Sequence, residues 1–346
     1  MTSWPLVSTV YLFISAFAAS WIGVALFRRW TIRRGFLDIP NVRSSHSTPT
    51  PRGGGLIIVL VCLVCYWATA FLFQFEISWG YFLGALLVAT VGWLDDIYSL
   101  GFTIRLLVHA AAASILISDV GSWSEFFIPL ASISIPVGSV LGIFLAVVWV
   151  VWLVNAFNFI DGIDGIAALQ AIVAGLAWAV LGYTFGFHGV FLLAGVLASA
   201  SAGFLIHNWQ PAKIFMGDVG SSFLGFTLAA MPLLARSESK LESPILPLIG
   251  VAFVWLVVLD TVFTRAKRVL SGQNVLEAHR EHIYQKLTIE GKKHATVALM
   301  YGSAAVFLSL AVLFAVVYSG IYDVLVLFSF VLLTFLFTYF GVRKKH

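Results

Sequence analysis

Long apolar runs alternate with short breaks of Gly, Pro or charge along the whole chain. Eleven such runs stand at 5–27, 54–73, 77–94, 103–118, 138–157, 163–183, 187–206, 219–235, 245–264, 295–318 and 321–341. Each is close to the roughly 20 residues that cross a bilayer as a helix. The pattern predicts an all-α, polytopic membrane protein of about 11 transmembrane helices. Residues 1–346 are expected to form a single integral membrane domain, because the runs leave no room for a separate soluble one. Any chemistry must then sit on the loops between helices.

Composition supports the same reading: the chain is 60% hydrophobic and 10% charged, with a mean hydropathy of +0.99. Soluble domains average roughly 45–50% apolar and 25% charged residues. The first 27 residues carry no Lys or Arg, so they read as an uncleaved first span rather than a signal peptide. Cys62 and Cys65 fall inside an apolar run without polar company and are expected to pack as thiols, not to bind metal.

Charge gives the spans a direction. If the runs alternate from an outside N-terminus, every Lys and Arg falls on the inner side except Arg236 and Lys240, outside, and Arg105, within a run. The N-terminus is therefore expected in the periplasm and the C-terminus in the cytoplasm. A basic cytoplasmic face suits anionic lipid headgroups and phosphorylated substrates, and no nucleic-acid partner is expected. The acidic and amide residues played no part in choosing this orientation. Yet Asp95, Asp96, Asn155, Asn158, Asp161, Asp164, Asn208, Asp218, His279 and His282 all land on the cytoplasmic side. Glu76, Asp119, Glu125, Glu238, Glu242 and Asp323 land outside, where they are expected to be solvated loop residues.

The run Asn155-Ala-Phe-Asn158-Phe-Ile-Asp161-Gly-Ile-Asp164-Gly165 closes the fifth span with two amides and two carboxylates at three-residue intervals. Such groups are costly in hydrocarbon and mark a functional site by default. Each three-residue helical step turns about 300°, so an unbroken helix would set Asn155 and Asp164 on nearly opposite faces. Gly162 and Gly165 let the chain leave helical geometry. The helix is expected to end near Asn158, with the carboxylates turning back on a loop.

Other segments add chemistry on the same side. The loop from Gly35 to Gly55 has three prolines, three adjacent glycines, and Arg43, His46 and Arg52; it suits a phosphate or is simply a basic loop. Asp95-Asp96 are adjacent carboxylates that should repel each other, raise one pKa or recruit a divalent metal. Arg105 and His109 share a helical face, either in the site or as a snorkelling cation and a bundle hydrogen bond. Asp218 lies between Gly217 and Gly220 at a helix start, after Asn208 and Lys213, as expected where backbone passes close to an ion or phosphate. His279, Arg280 and His282 lie in the last large inner loop and are candidate anion ligands. Carboxylates with an Asn amide fit Mg²⁺, with Mn²⁺ as a substitute, better than zinc.

Together these motifs resemble the polyprenyl-phosphate N-acetylhexosamine-1-phosphate transferase family. The resemblance implies transfer of an N-acetylamino-sugar 1-phosphate from a UDP-sugar to undecaprenyl phosphate, with UMP released and Mg²⁺ required. It further implies Asn158 and Asp218 as metal ligands, Asp95 and Asp96 as catalytic or metal-associated, and Asp161 and Asp164 as catalytic or substrate-binding; the loop and charge pattern above adds Arg43, His46, Asn155, Asn208, Lys213, His279, Arg280 and His282 as substrate-binding candidates. Eleven spans resemble the branch that starts O-antigen and lipopolysaccharide synthesis at the bacterial inner membrane, acting at the cytoplasmic face, with a homodimer left open. The chain departs from the muramoyl-pentapeptide branch, which keeps a Lys near Asp95-Asp96 and consecutive histidines in the last loop; this favours a smaller donor. N-acetylglucosamine, N-acetylfucosamine and N-acetylquinovosamine all stay open. The competing class is a transporter with a cytoplasmic-side carboxylate ion site, although the polar groups gather at one face and no internal repeat is evident.

Overall fold

A computed structural model describes residues 6–40, 48–73, 75–128, 133–239, 244–274, 280–318, 329–334 and 336–338. The helices are α1 (Leu6–Arg34), α2 (Gly55–Phe73), α3 (Trp79–Tyr98), α4 (Phe102–Val120), α5 (Gly138–Ile160), α6 (Ile166–Phe185), α7 (His188–Asn208), α8 (Asp218–Ser239), α9 (Leu246–Phe253), α10 (Trp255–Leu270), α11 (Ile283–Ile289) and α12 (His294–Val317). Among the described residues nine of these are long and apolar enough to cross a membrane, and α9 with α10 is apolar and long enough only as a bent pair. Nine of the eleven apolar runs thus appear as helices of spanning length, and a tenth as the bent pair. The eleventh, 321–341, falls largely outside the described residues, although 329–334 and 336–338 are helical.

Helix α8 forms the centre, with 94% of its apolar window buried against 17% for α1. Helices α3 and α5 pack along it, and small residues permit the approach. A Cβ on Gly92 of α3 would lie 2.6 Å from the Asp218 carbonyl oxygen, so only glycine lets the end of α3 meet the start of α8.

Run 245–264 departs from a single straight span: α9 and α10 meet at 79°. Beyond the break, α10 carries Asp260, Arg265, Lys267 and Arg268. Asp260 is the one of these that falls within the apolar run itself.

Two antiparallel ribbons complete the described structure. β1 (Leu37–Asp38) pairs with β2 (Thr50–Pro51), and β3 (Glu125–Ile128) pairs with β4 (Ile133–Pro136) at the other end. Past β2, the Gly54 and Gly55 N–H groups donate to the Phe215 and Met216 carbonyls, both at 2.9 Å, which fastens the glycine loop against the segment leading to Asp218.

At the end away from that loop, Asp119 and Glu238 are not idle solvated residues. Asp119 accepts from the Ser78 hydroxyl at 2.6 Å and the Gly80 N–H at 2.9 Å, closing the start of α3. Glu238 accepts from the Gly189 and Val190 N–H groups, both at 2.9 Å, closing the start of α7.

Candidate active site

The end of α3 delivers two carboxylates with different duties. The buried Asp96 side chain accepts from the Asp218 N–H at 3.0 Å and the Val219 N–H at 3.1 Å, so it caps α8 across the bundle. Gly217 makes this possible: it has φ +78°, and a Cβ there would lie 2.6 Å from an Asp96 oxygen. The Asp96 carbonyl accepts from the Arg52 guanidinium. Asp95 instead accepts from the Leu100 N–H and from Arg105 Nη1, each at 2.6 Å. The same Arg105 nitrogen donates to Asp218 Oδ2 at 2.9 Å. The repulsion expected of adjacent aspartates is thus relieved by a helix N-terminus for one and a guanidinium for the other. Arg105, which the sequence left between two readings, is in the site.

The 155–165 run ends as its glycines require. Helix α5 continues to Ile160, two residues past the expected end, and Asp161 follows as its C-cap. The Asn158 amide donates to the Ser221 hydroxyl at 3.2 Å and is hydrogen-bonded to Asp218. Asp161 shares the electrostatic field of Asp218, Asp96 and Asp164; burial first, then these neighbours, push its carboxyl well above the usual range. Distant stretches of chain therefore bring Asp95, Asn158, Asp161 and Asp218 to one place.

Other candidates lie around this centre in supporting positions. Asp164 accepts from the Ala212 N–H at 3.1 Å and lies 3.4 Å from His294 Nδ1, which ties the loop to α12. Asn208 is buried and uses both ends of its amide, accepting from the Gly165 N–H at 2.9 Å and donating to the Ile214 carbonyl at 3.0 Å. It braces two site loops. Asn155 donates to the Val151 carbonyl at 2.7 Å and its amide nitrogen lies 3.5 Å from His109 Nδ1. The Lys213 side chain is exposed, and its carbonyl accepts from Arg28 Nε at 3.1 Å. Arg280 is half-buried near Tyr284, whereas His282 is buried with its Nδ1 3.1 Å from Asp260. Arg43, His46 and His279 lie outside the described residues.

Positive charge and an apolar groove border the carboxylates. The Lys286 ammonium is pulled down to about 8 by burial and by Lys267 beside it, an arrangement that an incoming anion would relieve. Between α4, α5 and α10 lies a cavity of about 330 Å³, lined in part by Leu106, Val148, Trp152, Asn155 and Phe159. Arg265 closes one side, with its guanidinium 5.6 Å from the centre of the Trp152 ring and 5.0 Å from that of Phe159.

The donor set bears on a metal. Among the described residues no group of three or more His, Cys, Asp or Glu side chains could hold an ion. Magnesium commonly takes only one or two carboxylates, keeping waters and substrate phosphate oxygens for its other positions. Asp218, with 31% of its side chain exposed and Asn158 at its side, fits that mode; Arg105 now supplies the local positive charge.

Sequence reasoning passed over Asp260, Tyr284 and His294. Asp260 carried a usable signal, as the only Asp or Glu in the apolar run 245–264. The other two become visible only through their partners in space.

The stretch that supplies most of these groups, residues 78–236, matches glycosyl transferase family 4. Similar proteins include the probable undecaprenyl-phosphate N-acetylglucosaminyl 1-phosphate transferase of Bacillus subtilis, 28% identical over 90% of each chain. The decaprenyl-phosphate N-acetylglucosaminephosphotransferase of Mycolicibacterium smegmatis is 32% identical over 83% of this chain and 76% of its own. The phospho-N-acetylmuramoyl-pentapeptide-transferase of Listeria welshimeri is 31% identical over 71% and 81%, respectively. Likeness extending well past the carboxylate motifs into the surrounding helices means that this chain belongs to glycosyl transferase family 4.

Proposed function

We propose that the protein transfers an N-acetylhexosamine 1-phosphate from a UDP-sugar to a polyprenyl phosphate, releasing UMP, at the cytoplasmic face of a bacterial inner membrane. The observation that carries this reading is the meeting of Asp95 and Asp218 on one guanidinium nitrogen, with Asn158 against Asp218 and Asp161 in the same field. Carboxylates so crowded serve a polyphosphate reaction that brings its own cation. Two of the three relatives named above, those from Bacillus and Mycolicibacterium, are named for N-acetylglucosamine 1-phosphate transfer with undecaprenyl or decaprenyl phosphate, which favours UDP-N-acetylglucosamine as donor and undecaprenyl phosphate as acceptor. O-antigen initiation rests on the sequence resemblance alone; the broader proposal is the first membrane step of a cell-envelope glycan.

In this mechanism an oxygen of the lipid phosphate attacks the sugar-bearing β-phosphorus. A new P–O bond forms there as the bond from that phosphorus to the bridging oxygen breaks, and UMP leaves with the electron pair. Phosphoryl transfer depends mainly on positioning and charge neutralisation. Asp218 and Asn158 would hold Mg²⁺, which supplies positive charge to the diphosphate. Arg105 moves its charge from the carboxylates towards incoming phosphate oxygens, and Lys267 and Lys286 add to the basic rim. The acceptor needs little help from a base, because a phosphate monoester loses its second proton near pKa 6. Asp95 therefore orients Arg105. The apolar groove beside Asn155 takes the first isoprene units.

The test is release of UMP by the purified protein given UDP-N-acetylglucosamine, undecaprenyl phosphate and Mg²⁺, with chelator and no-acceptor controls. UMP formed only with all three supports the reading. Absence of UMP across a panel of UDP-N-acetylamino sugars overturns it.

A further inference from the structure

One layer behind the site lies a second acidic centre that the proposed chemistry has not used. Asp260 follows the break between α9 and α10 and is 1% exposed. Its carboxylate accepts from His282 Nδ1 at 3.1 Å, the Ile283 N–H at 2.9 Å, the Tyr284 N–H at 3.3 Å, the Tyr301 hydroxyl at 2.7 Å and the Thr264 hydroxyl at 3.2 Å. Five donors from α10, α11 and α12 converge on one side chain. An ionised carboxylate withdrawn from water costs several kcal/mol unless its lone pairs are matched in this way. A residue needed only to fill space would be apolar. Asp260 also lies beyond the 78–236 stretch that matches the family.

Two of the residues it grips, His282 and Tyr284, lead to the catalytic turn. Donation from His282 Nδ1 to a carboxylate fixes the ring's orientation and makes Nε2 its basic nitrogen. That ring stacks on Phe159 with centroids 5.9 Å apart and planes at 24°, directly after Asn158 in the chain. Tyr284, held by its backbone N–H, donates its hydroxyl to the Phe159 carbonyl at 2.8 Å. A Cβ on Gly162 would lie 3.0 Å from Tyr284 Cζ, so this phenol also abuts the residue after Asp161.

We propose that Asp260 is a positioning residue for the transfer reaction: through His282 Nδ1 and the backbone and ring of Tyr284 it sets the imidazole and the 159–162 turn that presents Asp161. This rests on the transferase reading above.

The test uses the purified full chain in detergent. Asp260→Asn keeps the shape, but its amide hydrogens must face donors: Oδ1 accepts from His282 Nδ1 and the Ile283 N–H, and Oδ2 from the Tyr284 N–H, so either orientation breaks the grip on His282 or the one on Tyr284. The expected result is a kcat about 10–100-fold lower with little change in KM for the UDP-sugar. His282→Gln made on an Asp260→Ala background should add little further loss, since both act through one ring. Tyr284→Phe, which removes one hydroxyl and keeps the ring, should lower kcat by a few-fold. Wild-type kcat in Asp260→Asn, or losses that multiply in the double variant, would overturn the proposal. ¹⁵N-histidine NMR, with His282 assigned by difference against His282→Gln, separates this idea from the transferase reading. Should the wild type release no UMP, that reading has failed; Nδ1 protonation present in the wild type and lost in Asp260→Ala, which removes the acceptor, still supports the positioning role, and its persistence in Asp260→Ala overturns it.

Discussion

At the end of the bundle away from the site, Asp119 accepts from Ser78 and Gly80, and Glu238 from Gly189 and Val190, so each carboxylate spends its lone pairs on a helix start. At the other end, Asp95 and Asp218 share one arginine, and Asp161 stands in the field of three more carboxylates. The first pair stabilises helices and asks for nothing more. The second group is held in mutual repulsion by the surrounding fold, a cost that makes sense if a cationic ligand relieves it. Asp96 bridges the two styles: it caps α8 yet sits among the crowded carboxylates.

The sharpest way to break this contrast is to neutralise the crowded carboxylates one at a time. Asp218→Asn and Asp95→Asn should each cut UMP release at least about 100-fold while membrane insertion and the thermal midpoint hold. Turnover close to wild type in either purified variant would remove the reason for separating the two ends. Asp96→Asn should instead lose activity and thermal stability together, because the carboxylate also closes α8. Arg105→Gln should lower turnover at least as far as Asp95→Asn, because Asp95 acts through this guanidinium. It should also raise the Mg²⁺ concentration required, as repulsion between Asp95 and Asp218 goes uncompensated until the ion arrives; Mg²⁺ titrations of initial rate read this.

A smaller effect follows from Asp161. Its carboxyl is held above the usual range, so the folded state binds a proton more tightly than the unfolded chain does. The stability this provides is complete below about pH 4, where the unfolded aspartate is also protonated, and is lost as pH rises through the higher folded value. In chelator, the thermal midpoint should therefore fall as pH rises above about 4, and the fall should flatten in Asp161→Asn or on adding Mg²⁺. The smallest effect belongs to the opposite end: Glu238→Gln should leave turnover unchanged and cost about 1 kcal/mol of stability, the usual worth of a helix cap, read as a modest drop in thermal midpoint.

Much of this contrast was legible in the sequence, for identifiable reasons. Apolar run length marks the spanning helices, and the asymmetry of Lys and Arg gathers the polar motifs at one end. The glycines at 162 and 165 foretold that α5 would stop and turn. Contacts between distant runs were not legible. Nothing in Asp95-Asp96 itself says that one will cap a helix more than 120 residues away while its neighbour takes Arg105 from the following span. Likewise Asn208 and Asp164 look like ligands in the sequence, but their hydrogen bonds show them bracing loops. The bend at Val254 occurs without Pro or Gly at the break, so the chain gives no local warning of it.

That bend has a consequence for delivery. By swinging α10 away from the line of α9, it leaves the cavity between α4, α5 and α10 along the flank of the bundle rather than down its axis. On the transferase reading, the lipid phosphate would drift in sideways along the leaflet, keep most of its length among neighbouring lipids, and offer only its head to the nucleotide sugar. The search is then two-dimensional, and the finished product departs by the same side door.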